Sequence, residues 1–167
     1  METSLRYGCE DKSLRIHAKQ KIPLDSRTIL QVHGELDPQV GAPSYYAVLA
    51  RSFYPELAAD FGAGLQFSER EGFQYTARAK KAFPITSNNS LSFNIKGRVH
   101  SDKDFEMRKF KGAAELTWSK FEFQKDQDVR FKVGYEIFDQ VPYLQIRENN
   151  WTFNANSNGK WNVRFDL

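Results

Sequence analysis

The chain has 167 residues, with 24 Lys plus Arg against 21 Asp plus Glu for a net charge of +3, and a mean hydropathy of −0.63. That length suits one domain spanning 1–167. No run approaches the roughly 18 apolar residues of a transmembrane helix, and the single Cys9 excludes an internal disulfide or a Cys-type metal cluster. A transmembrane β-barrel stays open, because it shows lipid only every second residue and reads as polar on average.

The opening "METSLRYGCEDKSLRIHAKQK" has no apolar stretch of the kind a secretory signal needs. It mixes acids with bases and alternates in strand fashion from Leu14, which speaks against a cleaved transit peptide. Residues 3–8 read as a weak strand candidate. "LRIHAKQKI" then sets Leu14, Ile16 and Ala18 against Arg15, His17, Lys19 and Lys21. Such period-two alternation is what a strand with two unlike faces requires. "LQVHGEL" continues it, and residues 45–53 form a second weak candidate. "AADFGAGLQF" opposes Phe61, Ala63 and Leu65 to Asp60, two glycines and Gln66. "FQYTARAK" opposes Phe73, Tyr75, Ala77 and Ala79 to Gln74, Thr76, Arg78 and Lys80. "LSFNIKGRV" and "KFKGAAELTW" place Lys96, Arg98, Lys109 and Lys111 opposite Phe93, Ile95, Phe110 and Trp118.

The cleanest case is "VRFKVGYEI", where Val129, Phe131, Val133, Tyr135 and Ile137 alternate with Arg130, Lys132 and Glu136. "YLQIR", "WTFNA" and "WNVRFDL" follow. Turn signals separate the runs: "DP" at 37–38, "SNNS" at 87–90, "SDKD" at 101–104, "KDQD" at 125–128, and "SNGK" with its Asn-Gly pair at 158–159. Counting runs gives 11 or 12 strands of an antiparallel meander, an all-β fold.

Catalytic signatures are weak. His17, His33 and His100 are scattered without metal spacing and read as solvated or core histidines. No nucleophile elbow or phosphate-binding loop is present. "GAG" at 62–64 lies inside an alternating run, so it reads as a close-packing or bend feature. A non-enzyme with no cofactor is expected.

The small net charge conceals a segregation. The polar faces of the strands carry thirteen cations: Arg15, Lys19, Lys21, Arg78, Lys80, Lys96, Arg98, Lys109, Lys111, Arg130, Lys132, Arg147 and Arg164. The same faces carry six acids: Glu35, Asp60, Glu115, Glu122, Glu136 and Asp166. An ordinary solvated sheet mixes signs, since like charges directly opposed are destabilising. A basic wall therefore points to an anionic partner. Nucleic-acid-binding sheets put aromatics on the basic face, so that bases can stack where phosphates pair. Here Phe61, Phe93, Trp118, Phe131, Trp161 and Phe165 sit on the opposite face, which argues against a nucleic-acid partner.

Two readings of the two-faced sheet remain. In one, about 12 strands close as a transmembrane barrel; such a ring encloses more space than side chains fill easily. The basic face then lines a water-filled lumen that focuses its field on passing anions. Trp118, Trp151 and Trp161 supply interfacial girdles, and the apolar face meets lipid. In the alternative, a soluble antiparallel barrel or sandwich hides the apolar face in a core and binds anionic ligands on a basic surface.

Particular stretches resemble a known family, the outer envelope pore protein 21 of plant chloroplasts. They are "METSLRYG", "IHAK" at 16–19, "FYP" at 53–55, "AKKAFP" at 79–84, "FQKDQDVR" at 123–130, "QVPYLQIRENNWTFNA" at 140–155 and "WNVRFDL". The resemblance covers the whole chain. It implies an antiparallel transmembrane β-barrel in the plastid outer envelope, in contact with the lipid bilayer, reached without a cleaved transit peptide. It also implies a voltage-dependent, rectifying, anion-selective channel for phosphate, triose phosphates, 3-phosphoglycerate and related phosphorylated metabolites. ATP is implied as a regulatory ligand that binds in the lumen. No nucleotide motif of the family maps onto specific positions, so the thirteen cations are a site inferred from the residues themselves.

Overall fold

The computed structural model describes residues 1–10, 12–106, 108–121 and 127–167 in full, and 122–124 by their backbone alone. The side chain of Glu122 and the Lys125–Asp126 part of the "KDQD" turn lie outside the described residues. The strands are β1 (Glu2–Gly8), β2 (Leu14–Pro23), β3 (Thr28–Asp37), β4 (Ala42–Tyr54), β5 (Ala59–Ser68) and β6 (Gly72–Pro84). They continue as β7 (Leu91–Asp102), β8 (Arg108–Gln124), β9 (Gln127–Glu136), β10 (Val141–Glu148), β11 (Trp151–Asn156) and β12 (Trp161–Asp166). One 3-10 turn, Pro55–Leu57, links β4 to β5. Each strand pairs antiparallel with its chain neighbours, and β1 pairs with β12, so the sheet closes on itself. The soluble alternative, a sandwich or barrel around an apolar core, is not what forms.

Both weak candidates are full strands. β1 pairs on both sides, and β4 runs 13 residues. Alternation failed to reveal β4 because its inward face includes Ala47 and Leu49, as apolar as Tyr46 and Val48 on the outward face. The apolar alternation of "VRFKVGYEI" holds through Tyr135, but Ile137 falls in the turn after β9 rather than on the strand.

Burial is inside-out relative to a soluble domain. Among the described residues the buried hydrophobic side chains are Ala47, Leu49, Ala59 and Ala113, whereas the buried polar set includes His17, Gln31, Gln74, Asn94, Glu115 and Thr117. Large apolar residues point outward and stay bare, as with Phe73 at 69% and Val133 at 57% exposure. Burial of apolar area inside the molecule therefore does not hold this fold together; the ladder and the surrounding lipid do. Among the described residues no helix is long and apolar enough to cross a membrane, and a barrel crosses with its strands instead. Charged residues that turn outward on the described strands are Lys81, Arg108, Lys120 and Glu148, each within a few residues of a strand end. At mid-depth a lipid-facing Lys or Arg would cost about 2–4 kcal/mol, and near the interface almost nothing.

Aromatic rings gather at the two ends of that outer band. Toward the mouth that carries both termini, Tyr54 meets Phe61, Phe83 meets Phe93, Trp118 stacks on Phe131, and Trp151 lies 4.7 Å from Phe165. Toward the other mouth, Tyr7 meets Trp161, Phe67 meets Tyr46 and Phe73, and Tyr75 stacks on Phe105. Two girdles of aromatic rings, each including Tyr and Trp with their polar edges, are the arrangement that seats a barrel between the headgroup layers.

The "GAG" glycines behave as close-packing residues. A Cβ on Gly64 would lie 1.9 Å from the Val48 carbonyl oxygen and 2.8 Å from Leu49 Cα. Backbone atoms cannot yield as side chains can, so this position demands glycine. Gly97 has nothing within 4 Å of its notional Cβ. Gly64→Val is expected to lower stability by about 3 kcal/mol or more through separation of β4 from β5. Gly97→Ala should stay within about 0.5 kcal/mol. Urea unfolding in phospholipid, followed by tryptophan fluorescence, reads both.

Candidate functional site: the barrel lumen

All thirteen predicted cations project to the inward face. On β2, β6, β7 and β8 they share the alternation of the buried His17, Thr76, Asn94 and Glu115. On β9, β10 and β12 they are cross-strand partners of one another or of the buried Thr117 and Thr152. The sequence reading missed two further inward cations, Arg6 on β1 and Arg51 on β4, because both sit on the weakly alternating strands. His17, His33 and His100, expected to be solvated or core residues, also face the lumen. His17 Nδ1 lies 3.0 Å from His33 Nε2, and its other ring nitrogen lies 2.8 Å from Glu35.

Register sets these charges against one another. Arg130 is opposite Arg147, Arg147 opposite Thr152, and Thr152 opposite Arg164. Arg164 is in turn opposite Arg6, and Arg6 opposite Arg15. Five arginines thus follow one hydrogen-bonded row across six adjacent strands, interrupted only by Thr152. On the far wall Arg78 pairs with Arg98 and Arg98 with Lys111, while Lys80 pairs with Lys96. Directly opposed side chains have Cβ atoms only about 4.5–5.5 Å apart, and like charges there are unfavourable.

Acids relieve part of that repulsion in a recurrent way. Glu2 bridges Lys19 and Lys21, Glu35 bridges Arg15 and His17, and Asp166 bridges Arg147 and Arg164. Glu115, 2% exposed, takes Lys96 at 2.6 Å and lies 3.7 Å from Lys132. It also accepts the Tyr143 hydroxyl. Asp60 holds Arg51 at 2.9 Å. One carboxylate between two basic groups steadies both and leaves the wall positive. The Arg6 and Arg78 Nε atoms have no hydrogen-bond partner among the described residues.

Small residues make the space. Tyr143 lies over Gly134, where any Cβ would meet its ring at 2.3 Å. Gly62 stands between Arg51 and Arg78, which converge on Gln31 Oε1 at 3.1 and 3.2 Å. Two cavities among the described residues lie within the lumen. One of about 350 Å³ is walled by Arg51, Arg78, Lys80, Lys96, Arg98 and Lys111, with Asp60 and Glu136. The other, about 760 Å³, opens toward the mouth away from the termini and meets Arg6, Arg15, Lys132, Tyr143 and a set of amide side chains on β10–β12. At that mouth a hydrogen bond from Lys160 holds the Glu10 carboxyl below the ordinary range. No group of three or more His, Cys, Asp or Glu side chains is placed to hold a metal ion among the described residues.

The wider likenesses agree with this geometry. The KdgM porin, solved in complex with disordered oligogalacturonate, superposes with a TM-score of 0.64 at 11% identity, over 99% of this chain and 96% of that one. The NanC porin superposes with a TM-score of 0.58 at 10% identity, over 99% and 97%. At such identities the likeness shows the fold alone: a porin barrel. In sequence the chain is 53% identical to outer envelope pore protein 21A, chloroplastic, of Arabidopsis thaliana, over 100% of both chains. It is 50% identical to outer envelope pore protein 21, chloroplastic, of Pisum sativum, and 47% identical to that of Oryza sativa subsp. indica, again over 100% of both chains. The sequence model of the chloroplast outer envelope pore protein OEP21 family matches residues 3–167. A polar-lined barrel with an apolar exterior and relatives of this kind is a channel and not an enzyme: the chain belongs to the OEP21 family of chloroplast outer envelope pore proteins.

Proposed function

We infer that the pore is an anion-selective, passive channel for inorganic phosphate and phosphorylated metabolites, among them triose phosphates and 3-phosphoglycerate. The observation that carries this reading is the arginine row. A sheet gains nothing in stability from Arg130, Arg147, Arg164, Arg6 and Arg15 placed side by side. It does gain a positive surface, broken only at Thr152, along which a phosphate passes from one guanidinium to the next. Arginine takes two phosphate oxygens at once in a planar fork, whereas lysine acts as a point charge. Several moderate sites in series let an anion both enter and leave.

ATP is proposed as a regulatory ligand in the same lumen, not as a cofactor of any reaction. Its triphosphate matches the cavity walled by Arg51, Arg78, Lys80, Lys96, Arg98 and Lys111, where it would compete with smaller cargo. Rectification fits the order of residues along β9–β12. Arg130, Arg147 and Arg164 lie toward the mouth with the termini, and neutral amides lie toward the other, so the two directions of travel meet different fields.

In a planar bilayer under a potassium chloride gradient, the reversal potential is expected to report anion preference, and cation preference would overturn the reading. Replacing Lys96, Arg98, Arg130 and Lys132 together by neutral residues should lower the chloride-to-potassium permeability ratio about tenfold, equivalent to ~1.4 kcal/mol; an unchanged ratio contradicts the assignment. Glu115→Gln should move selectivity the opposite way, because Lys96 and Lys132 lose their shared counter-charge. The same substitution should cost about 1–3 kcal/mol in unfolding free energy, since the buried hydrogen bonds weaken.

A further inference from the structure

One inward row carries no charge and has no part in the proposed selection of anions. Gln145 is opposite Asn154, and Asn154 is opposite Asn162. Gln145 Nε2 donates to Asn154 Oδ1 at 2.6 Å, and Asn154 Nδ2 donates to Asn162 Oδ1 at 2.8 Å. This ladder begins beside Lys132, the β9 partner of Gln145, and ends beside Gly8, the β1 partner of Asn162, which leaves its edge uncovered. It faces the 760 Å³ cavity together with Arg6, Arg15 and Tyr143.

Two properties suit the ladder to a ligand. A primary amide offers two donors and an acceptor with two lone pairs. The two ladder bonds use one N–H each from Gln145 and Asn154, so further N–H groups and the Gln145 carbonyl stay available to the cavity. The ladder also runs parallel to the arginine row, two residues along each strand: Gln145 beside Arg147, Asn154 beside Thr152, Asn162 beside Arg164. At about 3.4 Å per residue the rows stand roughly 7 Å apart. That separation matches a phosphate joined to a short hydroxylated carbon chain.

We propose that Gln145, Asn154 and Asn162 form a hydroxyl-reading subsite. It pairs with the polyhydroxylated part of a phosphate ester while the adjacent arginines hold the phosphate. The proposal rests on the anion-channel reading and adds what charge cannot supply, a preference among anions of equal charge and similar size. A site built from buried or half-buried polar groups rejects an analogue that lacks the hydroxyl, because its own groups are then left unpaired.

The test compares sn-glycerol 3-phosphate with n-propyl phosphate, equal in charge and chain length and different in hydroxyl content. Each is added to one side of a bilayer holding the wild-type pore, and block of the chloride current is recorded against concentration. Glycerol 3-phosphate is expected to block at about five- to ten-fold lower concentration, the return on one or two added hydrogen bonds. Asn162→Ala, at the open end of the ladder, and Gln145→Leu, which keeps side-chain volume, are each expected to remove most of that difference. Both should leave the chloride-to-potassium ratio unchanged. Equal block by the two esters in the wild-type pore overturns the subsite, as does a preference that survives both substitutions. A wild-type pore that prefers cations fails the anion reading instead, and the two failures are therefore distinguishable.

Discussion

The closing seam between β1 and β12 is the interaction on which the rest depends. In hydrocarbon there is no water to satisfy a free strand edge, so a sheet there must return on itself. Here the return is a five-residue register, Ser4–Gly8 against Asn162–Asp166, and it joins the two ends of the chain. The seam does more than satisfy backbone groups. It sets Arg6 between Arg164 and Arg15, which turns two separate clusters into one row, and it sets Gly8 at the edge of the amide ladder. Closure therefore assembles the basic wall in the same step that makes the fold possible.

With the outside committed to lipid, the inside has to solve an electrostatic problem. Adjacent strands put cations within about 5 Å of each other, and a bare basic wall would push its own sheet apart. Glu2, Glu35, Glu115 and Asp166 each answer with one carboxylate set between two basic side chains. Full neutralisation would hold the sheet more tightly and abolish the positive field. Half-neutralisation keeps both, and it also fixes lysines and arginines whose long side chains would otherwise fill the passage.

Much of this was legible in local sequence, and the exceptions have identifiable causes. Strict alternation in "VRFKVGYEI" and "FQYTARAK" is a property of one strand, so the face assignment of Arg130, Lys132, Arg78 and Lys80 needed no partner. Arg51 was hidden because the buried Ala47 and Leu49 share its inward face and blur the apolar/polar alternation. Arg6 was hidden because a seven-residue strand at the chain start gives few alternations to count. The arginine row was out of reach for a deeper reason. It is a statement about register, and the seam that completes it joins residues more than 150 positions apart. The His17–His33–Glu35 contact is likewise a product of pairing between β2 and β3, and spacing along the chain gives no sign of it.

Placement of uncharged groups is the last consequence of the geometry. A field acts at a distance and ranks solutes by charge, so a lumen of arginine and lysine alone would treat most small phosphates alike. A hydrogen bond acts over about 3 Å and within a narrow angle, so it responds to where a solute carries its hydroxyls. Along β10, β11 and β12 the barrel puts the two kinds of group in consecutive rows, Arg147, Thr152 and Arg164 followed by Gln145, Asn154 and Asn162. A strand offers one inward side chain every second residue, and the row spacing follows from the backbone alone. On the proposed reading, long-range attraction and short-range selection act on the same solute at once, its phosphate on one row and its carbon chain on the next.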